Sequence, residues 1–410
     1  NNIAEVLYAG IELTNATNST VQYNTISARV TNNAGQQTDP GDSGVGIEIA
    51  TRDQAGIGVT SGNTLVDSNV ITGVLFERAG INLLSRAYAG TSNAVLENVT
   101  VSNNTVSGST GRGGIVVVAE ERNSATNASF TNLAINSNTL TGNTTGLSIG
   151  ILGAPYDNAT GVDGSYGITA ITGNTFTTNT DYHLRDIAEA LSGQKVYEIF
   201  TNTDVASGFA GTGNTFDTST VVTNGAGVVQ STTSLVIRPT IQQSIDDASA
   251  GDTVEVAAGT YNETVTINKN NLTLTGDPGA TGATSNDAGP GSSAPVLDGT
   301  GLGNTSAIFL GAVSNVTIAG FEIANYDNGA PGPGGTGGVG SGIQSFDVAT
   351  NNITVRDNYF HDLGWNGVLV ASDNGTLQNN WAVIRNNIAE VLYAGIELTN
   401  ATNSTVQYNT

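Results

Sequence analysis

A four-residue pattern, glycine followed by an apolar residue, any residue and a second apolar residue, recurs along most of this chain. It begins at Gly10, Gly46, Gly80, Gly114, Gly146 and Gly367, and again at Gly395, which repeats Gly10. The spacings are 36, 34, 34 and 32 residues from Gly10 onward, and 28 residues from Gly367 to Gly395. Strands this short cannot bury an apolar face alone, but they can when successive coils of the chain stack strand upon strand. The pattern therefore predicts a solenoid of parallel strands.

Two further runs belong to each coil. An asparagine, any residue and an apolar residue occur at Asn24, Asn69, Asn104, Asn138, Asn174, Asn214 and Asn358, with Asn387 as a looser case. A third alternating run precedes several of these asparagines, as at 95–101 and 133–135. Each coil is thus expected to hold three short strands separated by polar turns. Stacked asparagines are expected to form an internal hydrogen-bonded ladder, and the glycines to allow a tight corner into the next strand.

These residues resemble the right-handed parallel β-helix superfamily, the pectin-lyase-like fold, and its surface proteins built from parallel β-helix repeats. The resemblance covers nearly the whole chain and is specific for fold rather than for function. It implies an all-β, right-handed parallel β-helix with three-strand coils and short capping helices. Enzymes of this family place acidic residues, often with Ca²⁺, and a basic residue in a groove along the coils.

The segment 239–261 differs from the coils and predicts the entrance of a solenoid. Thr240 and Gln243 have the spacing of a capping box, Ile241 and Ile245 share a helical face, and Gly251 ends the predicted helix. Such a helix caps the open end of the coils in many family members. A second helix is predicted over 181–193. The predicted organisation is the later coils of one unit in 1–225, a linker in 226–238, and the cap and early coils of the next unit in 239–410.

A much longer repeat encloses these coils. Residues 386–410 repeat residues 1–25 letter for letter, which gives a period of 385 residues. Either a gene segment duplicated recently, or the chain is one period plus an overlap from a repeating object; both predict a longer tandem array. The chain opens at Asn1 inside the pattern without a visible signal peptide, so a fragment or a processed product is expected. The expected partners are neighbouring copies, head to tail.

Composition excludes several classes of function. The chain has 35 acidic and 12 basic residues, a net charge of −23, and no cysteine. Such a surface repels phosphate backbones, so no nucleic-acid partner is expected, and it repels polyanionic sugars unless cations bridge the gap. Disulfides and thiolate metal sites are absent. No apolar run approaches the roughly 20 residues of a membrane span, so no membrane insertion is expected within this segment.

The best acidic pair in the glycine pattern is Glu12 and Glu48, which occupy the same outward position in successive coils. An inverting glycosidase would need such carboxylates roughly 6.5–9.5 Å apart. The following coils place Asn82, Val116 and Ser148 there, and the preceding coil places Leu369. Without a basic or histidine partner in this series, solvated glutamates on a strand face are the favoured interpretation.

His361 and Asp362 form the most enzyme-like sequence, because uronan lyases and epimerases of this fold use histidine. They lie between an Asn and a Gly of the pattern, where polar turn residues are common, so a turn is favoured over catalysis. His183, on the predicted second helix, is expected at the surface.

Two weaker ligand sites are also considered. Asp39 and Asp42 offer oxygen ligands for Ca²⁺, although their spacing matches no EF-hand or β-roll loop. Trp365 and Trp381 have faces that can stack on sugars, but packing or turn roles are favoured. We predict no catalytic, cofactor-binding or metal-binding residues, and we predict no cofactor; Ca²⁺ is the one ion that the sequence leaves open.

Sequons are numerous, and the candidate N-glycosylation acceptors are Asn15, Asn18, Asn127, Asn143, Asn158, Asn262, Asn304 and Asn374. The favoured function is a non-enzymatic structural repeat of a giant extracellular or cell-surface protein that forms a fibre, stalk or adhesin shaft. The alternative is a polysaccharide-binding or polysaccharide-cleaving β-helix. Adhesion to surface glycans or other cells through the long loops is a third interpretation.

Overall fold

The computed structural model describes residues 2–6, 9–28, 44–73, 79–88, 90–122, 127–150, 162–186, 213–223, 235–279, 284–326 and 339–410. These residues fall into two compact units. Unit 1 contains the described residues up to Asp217 together with 235–239, and unit 2 contains 218–223 and the described residues from Thr240 onward.

Short strands make up most of the described chain. From residue 2 to residue 223 they are β1 (Asn2–Val6), β2 (Ala9–Thr14), β3 (Thr20–Gln22), β4 (Thr25–Ala28), β5 (Val45–Asp53), β6 (Val59–Asp67), β7 (Val70–Thr72), β8 (Ala79–Ala87), β9 (Ala94–Ser102), β10 (Thr105–Ser107), β11 (Ile115–Glu121), β12 (Ala128–Asn136), β13 (Thr139–Thr141), β14 (Thr145–Ile149), β15 (Val162–Asp163), β16 (Ser165–Thr172), β17 (Thr175–Thr177), β18 (Tyr182–Asp186), β19 (Thr215–Phe216) and β20 (Thr220–Thr223).

The remaining elements are β21 (Leu235–Ile237), α1 (Ile241–Asp247), β22 (Thr253–Val256), β23 (Thr260–Tyr261), β24 (Val265–Ile267), β25 (Thr273–Thr275), a 3₁₀ turn (Ser285–Asp287), β26 (Val296–Asp298), β27 (Ile308–Leu310), β28 (Ser314–Ala319), β29 (Glu322–Ala324), β30 (Ile343–Phe346), β31 (Asn351–Arg356), β32 (Tyr359–His361), β33 (Asn366–Ala371), β34 (Gln378–Ile384), β35 (Asn387–Ile388), β36 (Ala394–Leu398), β37 (Ala401–Thr402) and β38 (Thr405–Gln407).

Three sheets run through each unit, and we name them after the sequence runs that form them. In unit 1 the Asn sheet has the order β1-β4-β7-β10-β13-β17-β19, the Gly sheet β2-β5-β8-β11-β14-β18-β21, and the third sheet β3-β6-β9-β12-β16. In unit 2 the Asn sheet is β23-β26-β29-β32-β35, the Gly sheet β24-β27-β30-β33-β36, and the third sheet β20-β22-β25-β28-β31-β34, with β37 and β38 both on β34. Neighbouring coils pair in parallel, which confirms the predicted all-β parallel β-helix of three-strand coils.

The core lies between the three sheets. Along β8, Ile81 and Leu83 point inward and are fully buried, and they pair with Ile47 and Ile49 of β5. The next coil repeats the arrangement in β11. Burial of each such side chain contributes roughly 1.5–3 kcal/mol, so stacking supplies the stability that the short strands lack alone.

The predicted cap helix of unit 2 is confirmed. The Thr240 side chain accepts a hydrogen bond from the Gln243 N–H at 3.3 Å, which is the N-cap half of a capping box, and its hydroxyl donates to Gln243 Oε1 at 2.9 Å. Ile241 and Ile245 are buried against the first coil. The helix ends at Asp247 with Ala248 as its C-cap, three residues before Gly251.

One prediction about the connections is wrong. The first part of the segment predicted as a second helix is strand β18 in the Gly sheet, and residues 187–193 lie outside the described residues. The predicted linker 226–238 contains β21, which pairs antiparallel with β18. Unit 2 has a similar edge, where β20 pairs antiparallel with β22. Antiparallel strands thus occupy one parallel edge in each unit, and such cover limits unwanted pairing.

The predicted asparagine ladder is present in both units. In unit 1 the buried side chains of Asn24, Asn69, Asn104, Asn138, Asn174 and Asn214 are joined by Nδ2 to Oδ1 hydrogen bonds of 2.9–3.0 Å. In unit 2 the ladder runs through Asn358, Asn386 and Asn409 with distances of 3.0 Å. The residue in the ladder is therefore Asn386 and not Asn387, which starts β35.

The glycines of the pattern have a different role from the predicted corner. A Cβ at Gly46 would lie 2.5 Å from the Gly80 carbonyl oxygen, and one at Gly80 would lie 2.8 Å from the Gly114 oxygen. Neither glycine has a positive φ. The glycines are required because neighbouring coils approach too closely for a side chain, and the same holds at Gly114, Gly146, Gly342 and Gly367.

Candidate functional site

The outer face of the Gly sheet in unit 1 holds the acidic row that the sequence predicts. Glu12 pairs in register with Glu48, and Glu48 with Asn82. Asn82 pairs with Val116, and Val116 with Ser148. In unit 2, Leu369 pairs with Glu397, the repeat equivalent of Glu12. The prediction that these residues share one position in successive coils is confirmed.

The prediction that this series lacks a basic partner is wrong. Arg52 lies four residues after Glu48 on β5, and its guanidinium forms an ion pair with Glu48. Its Nη1 lies 3.6 Å from Glu12 Oε1, and Asn82 Nδ2 donates to Glu48 Oε2 at 3.1 Å. The arginine was missed because β5 and β8 each extend over nine residues, well beyond the four-residue pattern.

A second charged group lies further along the same face. Arg86 Nε is 2.5 Å from Glu120 Oε2, and Arg122 Nε is 2.6 Å from Glu120 Oε1. Both guanidinium groups lie over the Tyr88 ring, at 5.7 and 5.4 Å from its centroid. Burial works against the charge on Arg86, but the neighbouring Glu120 carboxylate and Tyr88 raise its pKa above the ordinary value. The Arg86 guanidinium therefore stays protonated.

These charges are buried rather than displayed. Glu48 is 3 % exposed, Arg86 4 % and Glu120 1 %. Ala50, Leu84, Val116 and Val118 lie on the same face and form a small buried apolar cluster with Ala79. Because removing one partner of a buried ion pair strands the other charge, the arrangement holds the strands of successive coils in place.

An open pocket of about 320 Å³ lies at the end of this row, next to Arg52. Asn15 borders it, accepting a hydrogen bond from the Arg52 N–H at 2.7 Å and donating one to the Arg52 oxygen at 3.1 Å. Asp53 accepts from the N–H groups of Gly56, Ile57, Gly58 and Asn93. Burial raises the pKa of Asp53, but these four donors lower it more, so the net shift is downward. The side chains of Asn15 and Asp53 are thus hydrogen-bonded to backbone groups around the pocket. The Arg52 guanidinium is the cation among the residues that line it.

The His361 site in unit 2 is built from adjacent coils. His361 Nδ1 lies 2.7 Å from Asp362 Oδ2, its Nε2 lies 3.1 Å from Glu322 Oε1, and its ring stacks on Tyr359 at 4.4 Å. Burial lowers the pKa of His361, but hydrogen bonds and charges from Asp362 and Glu322 raise it overall. Below this raised pKa both ring nitrogens donate to carboxylates, and in that state the ring has no lone pair for a general base.

His183 is not at the surface, contrary to prediction. It lies on β18, is 0 % exposed, and its Nδ1 is 3.1 Å from Asn179 Nδ2. Its ring packs edge-on against Phe176 and Phe216. The helical assignment caused the error: His183 lies opposite Gly146 on β18, where its ring reaches Phe176 and Phe216 of the Asn sheet.

The two tryptophans differ in environment. Trp381 is 1 % exposed and its Nε1 donates to Thr350 Oγ1 at 3.0 Å, which is a core role. Trp365 is half-buried and stacks on the exposed Tyr393 ring at 4.5 Å. Asp39 and Asp42 lie outside the described residues. Within the described residues, no group of three or more acidic or histidine side chains is arranged to hold a metal ion.

The sequons fall into three groups. Asn143 is buried, and its Nδ2 donates to Val106 O and Asn179 Oδ1, so the structure does not support it as an acceptor. Asn158 lies outside the described residues. The remaining candidates are exposed: Asn15, Asn18, Asn127, Asn262, Asn304 and Asn374. Glycosylation at these six stays a prediction.

An outer asparagine ladder on the third sheet was not predicted. Asn63, Asn98 and Asn132 lie in the middle of their strands with φ between 49° and 58°. Asn98 Nδ2 donates to Asn63 Oδ1 at 3.0 Å, and Asn132 Nδ2 to Asn98 Oδ1 at 2.9 Å. Asparagine tolerates the left-handed conformation better than most residues. The recurring asparagine inside each alternating run was the available signal.

Comparison with known proteins gives one match. Residues 223–410 match the model of a family described as protein of unknown function (DUF1565), which is associated with pectin-lyase-like parallel β-helices. No curated protein and no solved structure matches the chain. The resemblance to the pectin-lyase-like parallel β-helix is thus confirmed for the fold. No helix among the described residues is long and apolar enough to cross a membrane.

Proposed function

We propose that this parallel β-helix is a structural repeat of a giant extracellular tandem-repeat protein that forms a surface fibre, stalk or adhesin shaft. The observation that carries the proposal is the position of the repeated segment in the fold. Residues 2–22 contribute one strand to each of the three sheets of unit 1, and the equivalent strands β35, β36 and β38 lie in the corresponding sheets of unit 2. The repeated segment therefore takes the same place within a coil in each unit, as a tandem array of solenoids requires.

The polar groups described above support a structural role. Glu48 and Glu120 are buried in ion pairs, and His361 is bound through both ring nitrogens. None of these groups presents a free acid–base pair to a substrate. A net charge of −23 favours solubility and discourages non-specific association, which suits an extracellular protein.

The mass of the native material under denaturing conditions tests this proposal. Under denaturing conditions, a covalent array is expected to migrate as one polypeptide whose mass is a multiple of the mass of one 385-residue repeat. Electron microscopy of the native material is expected to show filaments. A native mass near 41.6 kDa would contradict the covalent array.

The second candidate function is a polysaccharide-binding or polysaccharide-cleaving β-helix, and Arg52 is the observation that favours it. Its guanidinium lies beside Glu12 and Glu48 at the edge of an open pocket. A uronate carboxylate would pair with such a group through charge-assisted hydrogen bonds.

Titration with uronate and neutral oligosaccharides distinguishes the two candidates. If Arg52 recognises a uronate, Arg52→Gln weakens binding by about tenfold or more, the loss of one charge-assisted contact. Arg356→Gln, in unit 2, is the control and keeps the affinity. Wild-type protein that neither binds nor cleaves any of these sugars would rule this function out.

A further inference from the structure

We infer that residues 386–410 form a coil shared by two successive copies, with the coils of one copy before it and residues 26–72 of the following copy after it. This inference rests on the tandem array proposed above and identifies its joint. The surface concerned is the outer side of the last coil of unit 2.

From Asn15 and Asn400 onward, the two copies of the segment share their left-handed positions. Asn15 and Asn400 have φ of 55° and 58°, and Asn18 and Asn403 have 53° and 52°. Tyr23 and Tyr408 also match, at 55° and 57°. Left-handed residues are uncommon outside glycine, so three coincident positions fix one coil conformation. The segment keeps this conformation whichever neighbour it has.

Each copy has the neighbour that the other lacks. In unit 2 the segment packs on the coil before it, where Val406 pairs with Val383 and Ile396 with Val368. In unit 1 the identical residues pack on the coil after them: Val21 pairs with Val66, and Ile11 with Ile47. One copy of the segment can therefore satisfy both sets of pairings at once, because parallel pairing uses opposite edges of the strand.

Exposure identifies what belongs on the open side. Val406 is 48 % exposed, whereas its equivalent Val21, covered by the following coil, is 5 % exposed. A Cβ on Gly395 would meet nothing closer than 3.6 Å, whereas one on Gly10 would lie 2.7 Å from the Gly46 carbonyl oxygen. A side chain at position 395 would therefore clash only if a coil like the one after Gly10 also followed Gly395.

All three sheets continue through the shared coil. Strand β35 corresponds to β1 in the Asn sheet, β36 to β2 in the Gly sheet and β38 to β3 in the third sheet. The inner ladder continues as well, since Asn409 accepts from Asn386 and its equivalent Asn24 donates to Asn69. The pairing of the shared coil with its neighbours thus extends over all three sheets.

A lengthened chain with two engineered cysteines tests the joint. The full chain is followed, after Thr410, by a second copy of residues 26–410, and the native sequence contributes no cysteine. Gln22 Nε2 donates to Asp67 Oδ2 at 3.2 Å, so these side chains are neighbours on adjacent strands. Strands about 4.8 Å apart suit a disulfide. Gln407→Cys in the first copy with Asp67→Cys in the appended copy is expected to form an intrachain disulfide in nearly all molecules.

Hydrogen exchange gives a second readout without mutation. The Asn18 N–H donates to Gly62 O at 2.9 Å, so in the lengthened chain the Asn403 N–H is expected to slow to the exchange rate of Asn18. In the 410-residue chain Asn403 is expected to exchange faster.

The matched control moves one cysteine out of register. Leu65 lies two residues before Asp67 on the same face of β6, so Gln407→Cys with Leu65→Cys in the appended copy is expected to stay reduced. Equal linkage in both pairs, or no linkage in the register pair of a folded protein, would overturn the shared coil. Neither outcome touches the proposed function, which stands or falls on the native mass.

Discussion

The Asn104 side chain shows how a single amide holds three coils together. Its Oδ1 accepts from the Asn69 N–H at 3.0 Å and from Asn69 Nδ2 at 2.9 Å. Its Nδ2 donates to Val66 O at 2.9 Å and to Asn138 Oδ1 at 3.0 Å. Both polar atoms of the Asn104 side chain are therefore hydrogen-bonded within the protein, as a buried amide requires.

Replacing Asn104 with alanine is expected to destabilise unit 1 by roughly 2–4 kcal/mol, because it strands two buried donors of Asn69 and one carbonyl. Asn136→Ala, at the end of β12, is the control; its amide is partly exposed and bonded to Thr172, so a change within about 0.5 kcal/mol is expected. Urea denaturation measures both, and equal losses would show that the ladder contributes no special stability.

His361 is expected to make the stability of unit 2 depend on pH. Its folded pKa is raised above the unfolded value of 6.5, so the stabilisation is complete below pH 6.5 and is lost as pH rises through the folded pKa. NMR titration of its imidazole, with melting temperatures from pH 5 upward, measures this. His361→Gln removes the part of the pH dependence due to His361, and an imidazole that titrates at or below 6.5 would contradict the assignment.

The sequence predicted the inner ladder but not the ion pairs around Arg52 and Arg86. The ladder residues recur once per coil in a fixed local context, so periodicity finds them. Arg52 and Arg86 lie outside the four-residue pattern, and their partners Glu12 and Glu120 come from neighbouring coils. Register between coils decides such contacts, and a pattern within one coil carries no information about it.

At the scale of strands, the repeated glycine allows a test in which identical residues differ only in their neighbours. Gly10→Ala is expected to cost about 1–3 kcal/mol, since the new methyl group meets the Gly46 carbonyl oxygen and Ile26. Gly395→Ala meets no close atom in the 410-residue chain, so a change within about 0.5 kcal/mol is expected. Denaturation of the two single variants compares them directly, and equal effects would contradict close approach as the reason for glycine.

Strands were predicted correctly where the alternation of apolar and polar residues was long. They were predicted poorly where the apolar residues fitted both the two-residue period of a strand and the 3.6-residue period of a helix. Leu184, on β18, is buried in the core of unit 1. The sequence predicts a helix over 181–193 because 184, 187 and 188 also fit a helical face. Short apolar runs leave this ambiguity open, and pairing with β14 settles it in favour of a strand. The cap helix was predicted correctly because its capping box is a local signal.

At the scale of the whole molecule, charge governs how copies meet. With 35 acidic against 12 basic residues, separate copies repel one another near neutral pH. Solubility is expected to be lowest near the isoelectric point of about 4.1, where this repulsion vanishes. Turbidity measured from pH 3 to pH 8 checks this expectation, and a minimum of solubility at neutral pH would contradict it.

The duplicated coil has a genetic consequence. Two identical stretches at matching positions of the solenoid are natural sites for unequal recombination, and an exchange there adds or removes 385 codons at a time. With the shared coil, the strands of that coil keep a partner on each side in the product of such an exchange. Alleles with different numbers of repeats would then encode proteins of different length that keep the same contacts at the shared coil. Selection could therefore change the length of the protein without changing those contacts.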